Sequence, residues 1–279
     1  MRILLLGANG YLGQHLSQCL SKTESVLGLV RRSFYSDYCN IVNLNNEKWE
    51  DIILDFEPEL IVNTITCYGR YGESAEKILD ANVTLPIKII SRISEEIKNF
   101  TFINCGTSLP REVNLYALTK CQLDELLIYY SHMRGFNYIN LNLEGFYGVA
   151  CQNSFINHIF KQCIRGNDIN LTLGEQYRDY IYIEDLLSAI TTIIQNISKV
   201  KVYKKIDIGT GHPIQIKELV SKICKLTSYN KEPRYGVLKY RENELMYSCP
   251  DISILSGLGW KSLYDIDSGL SDLYSKEFK

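Results

Sequence analysis

No apolar run in this 279-residue chain approaches the 18 or more residues that a membrane-spanning helix needs. The opening "MRILLLGANG" is too short in apolar length for a secretory signal and carries no cleavage signature, so the chain reads as cytoplasmic. Charge of one sign is scarce too. A net charge of −2 offers no global field for nucleic acid or for an anionic membrane. The nine cysteines are odd in number and scattered, with no CxxC, which argues for reduced, mostly buried thiols and against a disulfide framework. The four histidines are dispersed and show no HExxH spacing, so no metal site is expected. Linkers, low-complexity tracts and internal repeats are also missing.

What remains is an ordinary globular composition, 46% hydrophobic and 22% charged, long enough for a substantial core. Apolar, β-rich runs at 2–6, 25–30, 60–65, 100–105 and 137–143 read as buried parallel strands. Amphipathic stretches at 11–22, 73–98 and 114–134 lie between them. This alternation predicts an α/β fold, a doubly wound parallel sheet covered on both faces. After about residue 148 the rhythm changes to helices separated by shorter strands ("DINLTL", "YIYI", "KKIDIG"). The expected division is a dinucleotide-binding domain over 1–148 and a smaller lobe over 149–279, with 174–210 partly returning to the first domain.

"LLLGANGYLGQHL" sets Gly7, Gly10 and Gly13 directly after the first strand and at the start of a helix. Glycines there permit a tight turn, close backbone approach to a pyrophosphate, and close helix–strand packing. The helix N-terminus adds oriented N–H groups and positive dipole. An NAD site usually carries a carboxylate at the end of the second strand, for the ribose 2′-hydroxyl. Here "LGLVRRSF" offers Arg31 and Arg32 instead, and guanidinium groups suit a 2′-phosphate. NADP(H) is therefore expected ahead of NAD(H); the alternative is a solvated basic turn. A net reductase must exchange spent NADP⁺ each turnover, whereas an enzyme that recycles its hydride tends to retain NAD.

"TSLPREVNLYALTK" (107–120) places Tyr116 four residues before Lys120. With 20 tyrosines in the chain such a pair is expected by chance about once, and Tyr235/Lys239 repeats the spacing. The surroundings decide between them. Tyr116/Lys120 opens the helix after "FTFINC", downstream of the glycine loop. Residues i and i+4 share a helix face, so the ammonium can lie near the phenol.

Glycine loop and tyrosine–lysine pair together resemble the extended short-chain dehydrogenase/reductase family of NAD-dependent epimerase/dehydratase type, whose motifs are GxxGxxG and YxxxK. The resemblance extends to "NVTLPIKII" (82–90), "GEQYRDYIYIEDLLSAI" (174–190) and "YRENELMYSCPDISILSGLGW" (240–260), nearly the whole chain. It implies a Rossmann-type fold with a substrate-binding C-terminal lobe. It makes Tyr116 the proton donor and Lys120 the anchor of the nicotinamide ribose. Cofactor contacts would come from Gly7, Asn9, Gly10, Tyr11, Leu12, Gly13, Arg31, Arg32, Asn43, Leu44, Thr64 and Leu143, beside Tyr116 and Lys120. A homodimer through the helices at 73–98 and 114–134 is common in the family.

A Ser or Thr normally completes the triad, and here the region reads "INCGTSLP". Thr107 is the first choice and Ser108 the second. Cys105, aligned with the usual hydroxyl position, reads as a buried thiol and a poor donor. No Asp–Glu pair adjoins Thr107, which argues against sugar-nucleotide dehydration. The short 107–120 loop and "CYGRYGES" (67–74) resemble a subgroup that includes CDP-abequose synthase-like and dTDP-4-keto-6-deoxyhexose reductases. That places Tyr68 and Arg70, with Thr107, toward the substrate; the alternative is a structured surface turn. Arg178 and Arg241 would meet the diphosphate, unless Arg178 pairs with Glu175 or Asp179. The expected activity is NADPH-dependent 4-ketoreduction of a nucleotide-activated deoxysugar, for surface polysaccharide such as O-antigen. A nucleotide-sugar epimerase with retained NAD and a non-catalytic NADP-binding regulator are the alternatives, and the regulator would ordinarily have lost the Tyr or Lys.

Overall fold

The apolar run Arg2–Leu6 forms strand β1, buried from Ile3 onward. Burial on both faces is why the run is continuous rather than alternating. The computed structural model describes residues 1–200 and 205–279. After β1 come α1 (Tyr11–Leu20), β2 (Ser25–Val30), β3 (Asn40–Asn43), α2 (Trp49–Phe56) and β4 (Leu60–Asn63). Then follow α3 (Ala75–Leu79), a π-helical turn at Asp80–Thr84, and α4 (Leu85–Glu96). β5 (Thr101–Cys105), α5 (Leu115–Arg134) and β6 (Asn137–Leu143) complete this part of the chain.

A seven-stranded sheet runs in the order β10-β6-β5-β4-β1-β2-β3, with β10 (Lys205–Ile208) on one edge. The strands from β3 to β6 are mutually parallel. The order reverses beside β1, whose neighbours are β2 and β4. Ligands of such sheets bind at the carboxyl ends of the strands at that reversal. The expected doubly wound α/β fold is the one observed.

On one face Ile61, Phe102 and Tyr138 pack with Ile89, Ile90 and Ile93 of α4 and with Leu123 and Leu127 of α5. At the carboxyl end of that sheet the packing turns polar. Asn63 donates to Asn104 at 2.8 Å, Asn104 to Asn140 at 2.8 Å, and Asn140 to Asn142 at 2.9 Å. The first three residues are in register across β4, β5 and β6 and buried. Below the row, the Tyr138 hydroxyl donates to Asp124 at 2.7 Å, and Lys205 pairs with the same carboxylate at 3.1 Å. Those bonds hold α5 against the sheet.

Two units divide the chain: residues 1–142 with 196–206, and residues 143–195 with 207–279. The second contains β7 (Gly145–Tyr147), α6 (Phe155–Ile164), β8 (Tyr177–Arg178), β9 (Tyr180–Tyr182) and α7 (Ile183–Gln195). It also holds β11 (Ile214–Gln215), α9 (Ile216–Leu226), α10 (Ser253–Gly257) and α11 (Ile266–Leu273), while the short α8 (Ile197–Val200) belongs to the first. β7 pairs with β9 in parallel, and β8 with β11 antiparallel. "DINLTL" is no strand: it makes a single bridge, Asn170 with Arg234, whose irregular 233–240 segment offers no ladder to extend. Of the nine free cysteines, Cys105, Cys151 and Cys163 are buried, Cys249 is exposed and the others are half-buried. Among the described residues there is no cluster able to hold a metal, and no helix is long and apolar enough to cross a membrane.

Candidate active site

The turn after β1 is built around the absence of side chains. Gly7 sits at φ +80°, and a Cβ there would come within 3.0 Å of the Thr64 hydroxyl. A Cβ on Gly13 would run into the Gly7 carbonyl oxygen and lie 2.9 Å from Ala8 Cα. Gly10 precedes the helix, its N–H donating to Gly7 O at 2.9 Å, and no acidic residue occupies the first turn of α1. Thr64, at the end of β4, donates to Leu6 O at 2.8 Å. These contacts stitch β1 to β4 at the sheet reversal, with the N-terminus of α1 directed there. A glycine cradle at a helix N-terminus, free of carboxylates, fits a dinucleotide pyrophosphate. Asn9 O accepts from Gln14 Nε2 at 2.9 Å, the Tyr11 ring meets His15 edge-on at 4.7 Å, and Leu12 is buried.

At the end of β2, Arg31 and Arg32 are both exposed. Arg31 is engaged by a carboxylate that sequence reading did not bring here, Asp80, at 2.8 Å. Asn43 and Leu44 lie alongside, at the end of β3: Asn43 is in register with Val30, and Leu44 N donates to Val30 O at 2.8 Å. Leu143 is the buried last residue of β6.

α5 begins where Asn114 caps it, its side chain accepting from Ala117 N at 2.8 Å. Tyr116 and Lys120 follow on one face. Lys120 is 2% exposed, and its ammonium reaches Thr66 Oγ1 at 3.5 Å. Burial pushes its pKa down to about 8, with the Cys105 thiol opposing. Burial likewise pushes the Tyr116 phenol up to about 12, against a hydrogen bond from Thr107 and the charge of Arg70. The Cys105 thiol, at the end of β5, is pushed up to about 12 for the same reason. Thr107 Oγ1 accepts from Leu109 N at 3.3 Å, and Ser108, its half-buried neighbour, follows in the turn.

The loop after β4 brings in the remaining groups. The Tyr68 ring lies 4.9 Å from that of Tyr116, and the Arg70 guanidinium 5.1 Å above the Tyr68 ring. Sequence reading missed the clamp beneath them. Asn82 accepts from Cys67 N at 2.7 Å and donates to Cys67 O and Thr119 Oγ1, each at 2.9 Å. Its only local signal was a position in "NVTLPIKII"; its partners are 15 and 37 residues away.

Tyr235 and Lys239 lie outside any helix and share no face; Tyr235 packs under Lys217 instead, 5.7 Å from its ring centroid. In the second unit Arg178 pairs with Glu244 at 2.8 Å, neither with Glu175 nor with Asp179. Asp179 is occupied by Thr210 and by His212 N, at 2.8 and 2.9 Å. Arg241 is exposed, and its carbonyl accepts from Glu244 N at 3.2 Å.

Residues 3–209 match the model of the NAD dependent epimerase/dehydratase family. The chain belongs to that family. Membership makes it an NAD(P)-dependent oxidoreductase of the short-chain type. CDP-abequose synthase of Salmonella typhimurium is 28% identical, covering 98% of this chain and 97% of its own. The Salmonella muenchen enzyme of the same name is 29% identical over the same shares. Among solved epimerase structures, UDP-glucuronic acid 4-epimerase from Bacillus cereus, in complex with UDP-glucuronic acid and NAD, superposes with a TM-score of 0.85. It is 20% identical, covering 99% of this chain and 98% of that one, a likeness of fold.

Proposed function

We propose that this protein is an NADPH-dependent 4-ketoreductase of a nucleotide-activated 4-keto-6-deoxy or 3,6-dideoxy sugar. The observation that carries the reading is the company kept by Tyr116: a hydroxyl from Thr107, a cation from Arg70, and no carboxylate at the Thr107 turn. Such a site can give one proton to a carbonyl oxygen, but it lacks the acid/base pair for eliminating water. The similarity to two CDP-abequose synthases supports the sugar class.

In this reading Gly7, Gly10, Gly13 and the α1 N-terminus hold the pyrophosphate, with Asn9, Tyr11 and Leu12 around it. Arg32 and Arg31 take the 2′-phosphate. Asn43, Leu44, Thr64 and Leu143 flank the rest of the dinucleotide, and Lys120 holds the nicotinamide ribose. A bound dinucleotide would supply hydride to the carbonyl carbon. Tyr116 gives its phenolic proton to the carbonyl oxygen, and the Thr107 hydroxyl steadies the charge that develops there. Arg178 and Arg241 receive the sugar-nucleotide diphosphate, for which Arg178 must exchange Glu244. Tyr68 presents an aromatic wall to the sugar.

The same reading makes the protein a cytoplasmic homodimer joined through α4 and α5. Tyr129 and Met133 stand 60% and 64% exposed on α5 and supply the apolar face that such a joint requires.

One observation favours a second reading, a nucleotide-sugar epimerase that retains NAD. Asp80 already neutralises Arg31, and a carboxylate at the end of β2 suits a ribose diol better than a phosphate. A single experiment separates the two. NADPH oxidation is followed against CDP-, dTDP-, UDP- and GDP-4-keto-6-deoxy sugars, and products are identified by NMR. Reduction at C4 with protein that purifies empty supports the ketoreductase. Stoichiometric bound NAD with C4 inversion supports the epimerase.

A further inference from the structure

Arg70 is not a loose surface cation. The segment that carries it is pinned at two points: Asn82 brackets Cys67, and Gly69 lies so close to Ile78 that a Cβ would come 2.7 Å from its Cδ1. Gly69 adopts φ +71°, which turns the chain so that the Arg70 guanidinium comes back over Tyr68 at 5.1 Å. Tyr68 in turn leans on Tyr116 at 4.9 Å. The two rings are tilted by 41° rather than stacked; a cation over the outer ring is held by the ring quadrupole, and its field reaches the inner phenol.

We propose that Arg70, held against the ring of Tyr68, is the permanent cationic partner of the Tyr116 phenol and makes it more acidic. The groups bearing on that phenol are Arg70, the thiols Cys105 and Cys121, and the Thr107 hydroxyl; Lys120 lies one turn along the same helix. Lys120 is the expected tuner in the first instance. Burial has brought its own pKa down to about 8, however, far below the phenol at about 12. Above that lower value Lys120 is neutral while the phenol still holds its proton. A guanidinium does not lose its charge at any pH at which a protein folds. Arg70 is therefore the cation that continues to favour phenolate across the alkaline range.

An opposite charge within about 4–6 Å lowers an acid by about 1–3 units, and Arg70, beyond a ring and open to solvent, acts more weakly. Its expected share is about half a unit to one unit, a three- to tenfold change in the ionisation constant.

The test is a titration of the cofactor-free protein carrying a fluorinated tyrosine at position 116. Its phenol is more acidic than tyrosine's, so ionisation falls within the folded range, and its ¹⁹F resonance reports that ionisation directly. Arg70→Met should raise the phenol's pKa by about half a unit to one unit, and Arg70→Lys should restore most of the difference. Tyr68→Leu, which removes the platform, should shift it in the same direction as Arg70→Met. Superimposable curves for Arg70→Met and wild type overturn the proposal. The kinetic consequence, but not the titration, rests on Tyr116 being the proton donor. A shifted titration with unchanged turnover upholds the partnership and counts against Tyr116 as donor.

Discussion

Asn82 and Thr119 meet side chain to side chain at 2.9 Å, both fully buried, and this bond ties the Tyr68–Arg70 loop to the helix of Tyr116 and Lys120. The amide holds both backbone groups of Cys67 as well, so one residue satisfies three partners. Asn82→Ala should leave those partners wanting, at about 1–3 kcal/mol for each buried group. Urea unfolding should show a loss of about 2–5 kcal/mol, with turnover falling by more than stability alone explains because Tyr68 is released. An unchanged midpoint would contradict the clamp.

Tyr116→Phe keeps the ring, the Tyr68 contact and the helix. It should lower kcat by about 10²–10⁴ while dinucleotide binding survives. Thr107→Val should cost about tenfold or more, as expected for losing one hydrogen bond to developing charge. Ser108→Ala should be milder, and Tyr235→Phe nearly silent. Steady-state kinetics with a binding measurement decides; a Ser108→Ala loss exceeding that of Thr107→Val would move the hydroxyl role.

Lys120 should be destabilising in the free protein. Its folded pKa of about 8 lies below the ordinary lysine value of 10.5, so the unfolded chain binds more protons between those limits. The burden is complete below the folded value and fades as pH rises toward the unfolded one. Lys120→Met should therefore raise stability by about 1–3 kcal/mol near pH 7 while abolishing turnover, and its advantage should shrink toward about pH 9.5. Cys105 and Tyr116, both pushed up, lose stability with rising pH, so the comparison must be variant against wild type at each pH. A constant gap across that range would show that Lys120 is not held as described.

The Arg31–Asp80 pair gives cofactor choice a specific test. Both members are about half exposed, so the pair itself stabilises the fold little. If the guanidinium groups take a 2′-phosphate, Asp80 competes with it. Arg32→Ala should weaken NADPH about tenfold or more, about 1.4 kcal/mol, and NADH little. Asp80→Asn should strengthen NADPH binding, measured by fluorescence titration of both dinucleotides. Equal wild-type affinity for NADH and NADPH would defeat the NADPH reading.

The five long strand runs and the three principal helical stretches were legible because each reflects a local period or a continuous buried run. β3 escaped because Asn40–Asn43 is four residues with polar ends, held in place by β2 rather than by its own pattern. "DINLTL" alternates like a strand yet finds no ladder partner. The glycine loop and Tyr116/Lys120 could be read because their geometry is set within one turn of chain. Asp80 on Arg31, Glu244 on Arg178 and Asn82 on Thr119 could not, since those pairs are separated by 49, 66 and 37 residues. On α5, Leu118 and Cys121 are half-buried and Leu126 is 37% exposed, a gradation that helical period alone does not resolve.

The row Asn63–Asn104–Asn140 works as a keyed joint. Aliphatic neighbours would let parallel strands slide, since Val, Ile and Leu fit one another in many offsets. Amides in a dry interior do not. Shifting β5 by one residue would aim Asn104 at the opposite face of the sheet and strand the carboxamides on both sides. Gly106 sharpens the fit, because a Cβ there would come 2.6 Å from the Asn140 side-chain oxygen. A misregistered sheet is thus penalised at the end where Thr64, Cys105 and Thr107 emerge, so chains that complete folding do so with those segments at one common level.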